Sequence, residues 1–460
     1  MERDFLSTVA AVSSPRGKGG VALIRISGEE AVAVASRCFS PKSGISVCDL
    51  ASRTAVFGDI TDEGGIIDDG MLTLFRAPAS YTGEDVVEIT CHGGVLVTSR
   101  VLEAVFKAGA IPAAAGEFTR RAFVNGKLSL TKAEAVGEIL EAKSDAQLRI
   151  AASQRRGALS GKIEEAAKEL VALIAAVYAK IDYPDEDLAE VSDGEFVARA
   201  SDVCEKLEKL KSTYRAGSAI FEGIKTVICG APNRGKSSLY NLIAGEEAAI
   251  VTDIAGTTRD VLERDIPLGD VLLHLTDTAG IHKTSDVVEQ IGVSRAEQKV
   301  SEAELVLLVL DGSAPLSGED TELIRSLESV SAPKIAVLNK CDKGSFDIEL
   351  PKGIFAKTVR LSAKNGDGMD MLKNAVKDLF LSDMINSSDD AVVSSARQFA
   401  SLEEAVARIK DAVALVSGGL STDLAASDLE RAVAALDELD GRRVSEDVVS
   451  EIFSKFCVGK

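Results

Sequence analysis

The chain has no tryptophan, and aromatic residues make up only 4% of its 460 positions. Its cores must therefore be built from Leu, Val, Ile and Ala, and a hydrophobic content of 46% is ample for several of them. Paired cysteines are lacking as well. The seven cysteines are odd in number and scattered without a CxxC spacing, which argues against a disulfide framework or a zinc site. No apolar run approaches the length of a membrane span. The opening Met1-Glu2-Arg3-Asp4 offers neither a basic stretch nor a long apolar core, so no signal peptide is expected and the chain reads as cytoplasmic. Positive charge is in deficit, with a formal net charge of −20. Bulk electrostatics would not hold a nucleic acid, which would need a local basic patch or a partner protein to receive it. Arg120-Arg121 with Lys127, Arg155-Arg156 and Arg442-Arg443 are the candidate patches, though such pairs are more often solvated or ion-paired.

What is present is concentrated in the middle of the chain. The apolar run Thr226-Val227-Ile228-Cys229 feeds Gly230-Ala231-Pro232-Asn233-Arg234-Gly235-Lys236-Ser237-Ser238. That is a buried strand, a GxxxxGK[ST] phosphate loop and the start of a helix. Backbone N–H groups of such a loop close around phosphate oxygens, Lys236 reaches the terminal phosphates, and the Ser237 hydroxyl can hold Mg²⁺. A second strand-like run, Lys334 to Leu338, ends in Asn339-Lys340-Cys341-Asp342. A carboxylate at Asp342 can accept from guanine N1–H and the 2-amino group, a pair that adenine does not offer. Asn339 can tie this loop to the phosphate loop, and the Lys340 stem can cover the base. Ser362-Ala363-Lys364, after the run Phe355 to Leu361, can offer a backbone N–H to guanine O6.

Two further segments complete a nucleotide site. Asp277-Thr278-Ala279-Gly280 closes the run Val271 to Leu275; Asp277 would hold Mg²⁺ through water, and the Gly280 N–H would sense the terminal phosphate. Upstream, Thr258 follows Gly256-Thr257, and its hydroxyl can ligate Mg²⁺ only while a γ-phosphate is present. A water-orienting glutamine is missing, because Ile281 follows the DxxG stretch. Water and charge must then be handled otherwise. Asn233 and the carbonyls of Thr252-Asp253-Ile254-Ala255-Gly256-Thr257 suit a monovalent cation such as K⁺ beside the developing charge.

Outside this region stand Gly17-Lys18-Gly19-Gly20, Arg25-Ile26-Ser27-Gly28, Ser80-Tyr81-Thr82-Gly83-Glu84-Asp85 and Cys91-His92-Gly93-Gly94. Gly116-Glu117-Phe118-Thr119-Arg120-Arg121-Ala122-Phe123, Asn125-Gly126-Lys127-Leu128 and the final Phe456-Cys457-Val458-Gly459-Lys460 follow. With the GTPase motifs, these segments make the chain resemble, from end to end, the MnmE (TrmE) family of tRNA-modifying GTPases. The resemblance implies an N-terminal tetrahydrofolate-binding α+β domain that also dimerises, and an all-α helical domain interrupted by an inserted Ras-like α/β G domain. It implies a homodimer whose GTP hydrolysis depends on K⁺. It also implies a heterotetramer with the flavoprotein MnmG (GidA), which adds an aminomethyl or carboxymethylaminomethyl group to C5 of the wobble uridine of certain tRNAs. A folate such as 5-formyltetrahydrofolate supplies the one-carbon unit. On the matching motifs, K⁺ falls to Asn233, Thr252, Ile254 and Thr257, and Mg²⁺ to Ser237 and Thr258. The family's water-orienting glutamate falls on Glu289, so Glu289, Lys236 and Thr258 are the catalytic candidates. Folate falls to Arg25, Glu88, Lys127 and Lys460, residue types that suit a pterin edge and a glutamate tail. Cys457 is open to thiol chemistry near the transferred carbon, or equally to a packing role on a terminal helix.

The chain departs from the family in places. His282 and Lys283 stand where an arginine and an acidic residue are usual, Ala115 replaces a proline, and Arg234 fills a phosphate-loop slot that more often holds something small. Length, composition and helical periodicity place the domains at 1–127, 128–222 (helical, first part), 223–381 (G domain) and 382–460 (helical, second part). Leu159, Ile163, Ala166, Leu170, Leu173, Ile174 and Val177 form one apolar stripe, and Leu402, Ala405, Val406, Ile409, Val413 and Val416 another. Each stripe needs a partner, which is the pattern an insertion leaves. A second functional class fits the GTPase motifs alone: a GTP-regulated assembly or ribosome-binding switch without one-carbon chemistry. Such a switch has no reason to carry Arg25, Glu88, Lys127 and Lys460.

Overall fold

The computed structural model describes residues 7–15, 17–182, 191–247, 263–276, 302–381 and 391–460. The chain forms two compact units, Met1–Gly137 with Asp437–Lys460, and Glu138–Leu436.

The first unit is built on a seven-stranded sheet. Its strands are β1 (Val9–Val12), β2 (Val21–Ser27), β3 (Phe39–Pro41), β4 (Thr54–Asp62), β5 (Gly65–Phe75), β6 (Val86–His92) and β7 (Ile111–Pro112), in the order β3-β4-β5-β6-β2-β1-β7. Period-two alternation along β2 sends Ala22, Ile24 and Ile26 into a core with Leu72, Leu74, Val87 and Ile89, covered by α1 (Ala31–Cys38) and α2 (Val95–Lys107). The alternate residues face the other way, where Val9 and Ala11 pack against Phe118 of α3 (Glu117–Val124). Register then sets Arg25 of β2 directly opposite Glu88 of β6.

The last residues are stitched into this unit. Leu130 and Ala133, from α4 (Leu130–Glu141), pack with Val449 and Phe453 of the C-terminal helix Glu446–Ser454. Ala115 pairs with Val458 in an antiparallel bridge, and the Phe118 N–H donates to the Lys460 carbonyl at 3.0 Å. Gly459 has φ +101°, and a Cβ there would lie 2.1 Å from the Val12 carbonyl oxygen, so both conformation and space demand glycine.

The second unit pairs helices with an α/β sheet. α5 (Asp145–Arg156), α6 (Ala158–Asp182), α7 (Asp193–Ser212) and α8 (Tyr214–Phe221) precede the sheet. Ser144 and Ser192 cap α5 and α7 by accepting from the backbone N–H groups of Gln147 and Glu195. The sheet contains β8 (Ile224–Cys229), β9 (Glu263–Leu268), β10 (Val271–Thr276), β11 (Leu305–Asp311), β12 (Lys334–Asn339) and β13 (Lys357–Arg360), ordered β13-β12-β11-β8-β10-β9. β9 runs antiparallel to β10, and the other pairings are parallel. β11 and β12 are buried along nearly their whole length, as expected of strands covered on both faces. The sheet's helices are α9 (Lys236–Glu247), α10 (Gly318–Ser326) and α11 (Met369–Phe380).

Helix resumes with α12 (Ala396–Ser417), which packs along α7 across the intervening α/β domain, and with α13 (Thr422–Asp440). The expected stripes are the buried faces except at Ile174 and Val413, which are only half-buried, with Ala412 buried on α12 instead. Residues 392–393 hold the helices before and after the insertion together. The Gln154 side-chain amide donates to the Val392 carbonyl at 2.9 Å, and the Val393 N–H donates to the Thr213 hydroxyl at 3.0 Å. The fold is thus an N-terminal α+β domain and a helical domain interrupted by an α/β G domain.

Candidate nucleotide-binding site

The phosphate loop leaves the carboxyl end of β8, a central strand of the parallel sheet, which is where such sheets bind ligands. Its glycines are required by space. A Cβ at Gly230 would lie 2.4 Å from the Val309 carbonyl oxygen, and one at Gly235 2.3 Å from the Asn339 amide nitrogen. Asn233 adopts a left-handed conformation with φ 60°, and its side chain is exposed. The Lys236 ammonium donates to the Gly230 and Ala231 carbonyls at 2.8 and 3.1 Å, so it already lies across the loop. Burial lowers its pKa below the usual lysine range. Ser237 and Ser238 are exposed in the first turn of α9, where free N–H groups favour anions.

Three loops are interlocked at this edge. The buried Asn339 donates to the Arg234 carbonyl at 3.0 Å and accepts from the Ala363 N–H at 2.9 Å. Lys340, in a left-handed conformation, extends its amine to the Asn233 carbonyl and to Asp311, both at 2.7 Å. Burial opposes ionisation of Asp311, but hydrogen bonds from Lys340 and Ser313 outweigh it and hold the carboxyl down at about 2. Asp342 is exposed at the rim and accepts from the Ser362 hydroxyl at 2.8 Å, while Lys364 is exposed beside it. The sequence-derived residues Asn233, Arg234, Gly235, Lys236, Ser237, Ser238, Asn339, Lys340, Asp342, Ser362, Ala363 and Lys364 are thus gathered at one end of one sheet. Thr252, Asp253, Ile254, Ala255, Gly256, Thr257, Thr258, Asp277, Thr278, Ala279, Gly280 and Glu289 lie outside the described residues.

A second constellation occupies the first unit. Arg25 Nε and Nη2 both donate to Glu88 Oε1, at 2.9 and 2.7 Å. The Arg25 guanidinium also lies over the Tyr81 and Phe118 rings, 5.5 Å from each centroid. Phe118 is the residue whose N–H holds the Lys460 carbonyl, which brings the end of the chain to this spot. The Lys127 amine donates to the Pro78 carbonyl at 2.9 Å, beside the loop that carries Tyr81. Cys457 is exposed, and its carbonyl accepts from the Gly116 N–H at 3.3 Å.

Sequence reasoning missed what lies beneath. Arg121, 1% exposed, donates to both oxygens of Glu84 at 3.1 and 3.0 Å and to Glu117 at 2.9 Å. Glu84 also accepts from Ser27, which shares a hydrogen bond with Thr82. The i,i+4 spacing of Glu117 and Arg121 was a visible hint of that pairing. In two of the three candidate basic patches the arginines lie beside carboxylates. Arg121 is internal, Arg120 pairs with Glu446, and Arg442 and Arg443 lie 3.7 and 3.8 Å from Asp437. Arg155 and Arg156 sit in the last turn of α5, where the helix carbonyls favour cations. Among the described residues no helix is long and apolar enough to cross a membrane.

Residues 130–457 match the family described as MnmE helical domain, and residues 8–127 match the one described as GTP-binding protein TrmE N-terminus. The tRNA modification GTPase MnmE of Geobacillus kaustophilus is 42% identical over 459 residues, covering 98% of this chain and 99% of its own length. That of Lactobacillus acidophilus is 40% identical over 457 residues, covering 98% of each chain.

Proposed function

The chain belongs to the MnmE family of tRNA modification GTPases, a GTP hydrolase of that group, and from this premise we propose that it is K⁺-stimulated and serves folate-dependent modification of the wobble uridine. It would work as a cytoplasmic homodimer joined to the flavoprotein MnmG, with GTP as substrate. One observation carries the guanine assignment. Asn339 bridges the phosphate loop and the Ser362-Ala363 turn, so that Asp342 and Lys236 belong to one assembled pocket.

In this reading Lys236 would leave the carbonyls of its own loop for the phosphate oxygens. Ser237 and Thr258 would hold Mg²⁺, with Asp277 reached through water. The exposed neutral oxygen of Asn233, presented by a left-handed backbone, suits K⁺, and the carbonyls of Thr252, Ile254 and Thr257 would complete its set. A cation there offsets negative charge that grows on the phosphate oxygens in the transition state. Glu289 would orient the attacking water. GTP turnover in K⁺ should exceed that in Na⁺ at equal ionic strength, and equal rates would remove Asn233 from its role.

The Arg25–Glu88 pair, with two aromatic rings beside the guanidinium, suits a flat, hydrogen-bonding heterocycle such as a pterin. Lys127, whose amine donates to the Pro78 carbonyl, and Lys460, whose carbonyl accepts from the Phe118 N–H, would meet a glutamate tail. Folate supplies the one-carbon unit, and these residues would bind and orient it. The acidic chain and its occupied arginines support a division of labour in which MnmG carries much of the tRNA contact. Isothermal titration with 5-formyltetrahydrofolate tests the folate reading. Binding should appear in the micromolar range and be lost in Arg25→Ala. Absence of binding at high micromolar ligand would instead favour a GTP-regulated assembly switch without one-carbon chemistry.

A further inference from the structure

We propose that Arg234 is a positioning residue, one that locks the phosphate loop to the amino end of α10 and so shapes the loop before nucleotide arrives. This rests on the guanine-nucleotide reading above. The Arg234 side chain forks onto a single carboxylate: Nε donates to Asp320 Oδ1 at 3.1 Å and Nη2 to Asp320 Oδ2 at 2.5 Å. Nη2 also donates to the Ser317 hydroxyl at 2.8 Å. Asp320 is 1% exposed, so the pair is largely shielded from water, and its bidentate geometry is one that lysine could not reproduce.

Asp320 has a second task. With Ser317 it forms the capping box that starts α10: the Ser317 N–H donates to Asp320 Oδ2 at 2.9 Å, and the Asp320 N–H donates to the Ser317 hydroxyl at 3.2 Å. Arg234 is therefore bolted to a helix end that is itself rigid. Around it, the Asn233 carbonyl is held by Lys340 and the Arg234 carbonyl by Asn339. Two consecutive carbonyls are thus fixed from the base-binding loop and the intervening side chain from α10. With these oxygens engaged and Asn233 left-handed, the loop keeps its curve without a ligand to impose it. Order established before binding does not have to be created by binding, so it appears as affinity for any phosphate-bearing guanine nucleotide.

The test is a KM-against-kcat split with a double-mutant cycle. Arg234→Ala should raise KM for GTP and Kd for GDP together by about tenfold, while kcat at saturation falls far less. Arg234→Lys, able to reach only one oxygen, should lie between Arg234→Ala and the wild type. Arg234→Ala/Asp320→Asn should bind GDP no more weakly than Arg234→Ala alone, since the amide oxygen can still accept from the Ser317 N–H and the ion pair is already gone. If Arg234→Ala is poorly folded by thermal melting, the Lys variant decides, and affinity equal to wild type would overturn the proposal. So would strictly additive single effects, or a fall in kcat with affinity unchanged. Wild-type protein that binds no guanine nucleotide would sink the nucleotide reading and this proposal with it. Wild type that binds, with Arg234→Ala matching it, sinks the Arg234 proposal alone.

Discussion

Asp342→Asn is expected to weaken GTP binding by about a hundredfold or more and to improve binding of XTP. The carboxylate can accept two charge-assisted hydrogen bonds from guanine, each contributing roughly 1.5–3 kcal/mol. An amide accepts one and presents its NH₂ to the other, which in guanine is also a donor. Xanthine carries an oxygen at that position and would accept from the amide. The residue is exposed and oriented by the Ser362 hydroxyl at 2.8 Å, so the exchange should leave the fold intact. Competition between GTP and XTP for the purified protein reads the effect directly. An unchanged preference would show that Asp342 does not meet the base.

The other large effect is structural. Arg121→Leu should destabilise the first unit by about 3 kcal/mol, because the buried Glu117 and the half-buried Glu84 would be left without their cation. Glu117 is 6% exposed, and one of its oxygens already accepts from the Ala114 N–H at 2.5 Å. Glu84 holds Ser27 as well as Arg121, and Ser27 lies two residues from Arg25 along β2. The loss should therefore reach the Arg25–Glu88 constellation, and the folate binding proposed for it should weaken. Replacing Glu84 and Glu117 by apolar residues in the same protein should recover much of the stability, since an all-apolar cluster leaves no charge stranded. A single Arg121→Leu variant that melts like wild type would contradict the account.

The legible parts of this molecule were those whose logic is local. The phosphate loop, the Asn339-Lys340-Cys341-Asp342 turn and the apolar stripes of α6 and α12 are each written in consecutive or periodic residues, so their spacing was enough to place them. Charged pairs were not legible in the same way. Arg120 and Arg121 read more readily as ion-paired than as a basic patch, but their partners could not be named, because neighbouring residues on a short helix point in different directions. One pairs with Glu446, and the other is enclosed by Glu84 and Glu117. Arg25, Glu88, Lys127 and Lys460 lie far apart in sequence, and no periodicity joins them. Only resemblance grouped them; β-register sets Arg25 opposite Glu88, and the Phe118 N–H holds the Lys460 carbonyl beside the ring that Arg25 overlies. Asp320 gave no sign that it would bind Arg234, because the two lie 86 residues apart and meet only where neighbouring strands end.

The stitching of residues 437–460 into the unit formed by residues 1–137 has a consequence for biosynthesis. A ribosome adding about 5–20 residues per second finishes Met1–Gly137 long before Asp437 emerges. During that interval of roughly 15–60 seconds, the sheet lacks the strand-like tail that Ala115 and Phe118 will grip. The later-made second unit can therefore complete its own core first, and the earliest-translated unit is the last to mature.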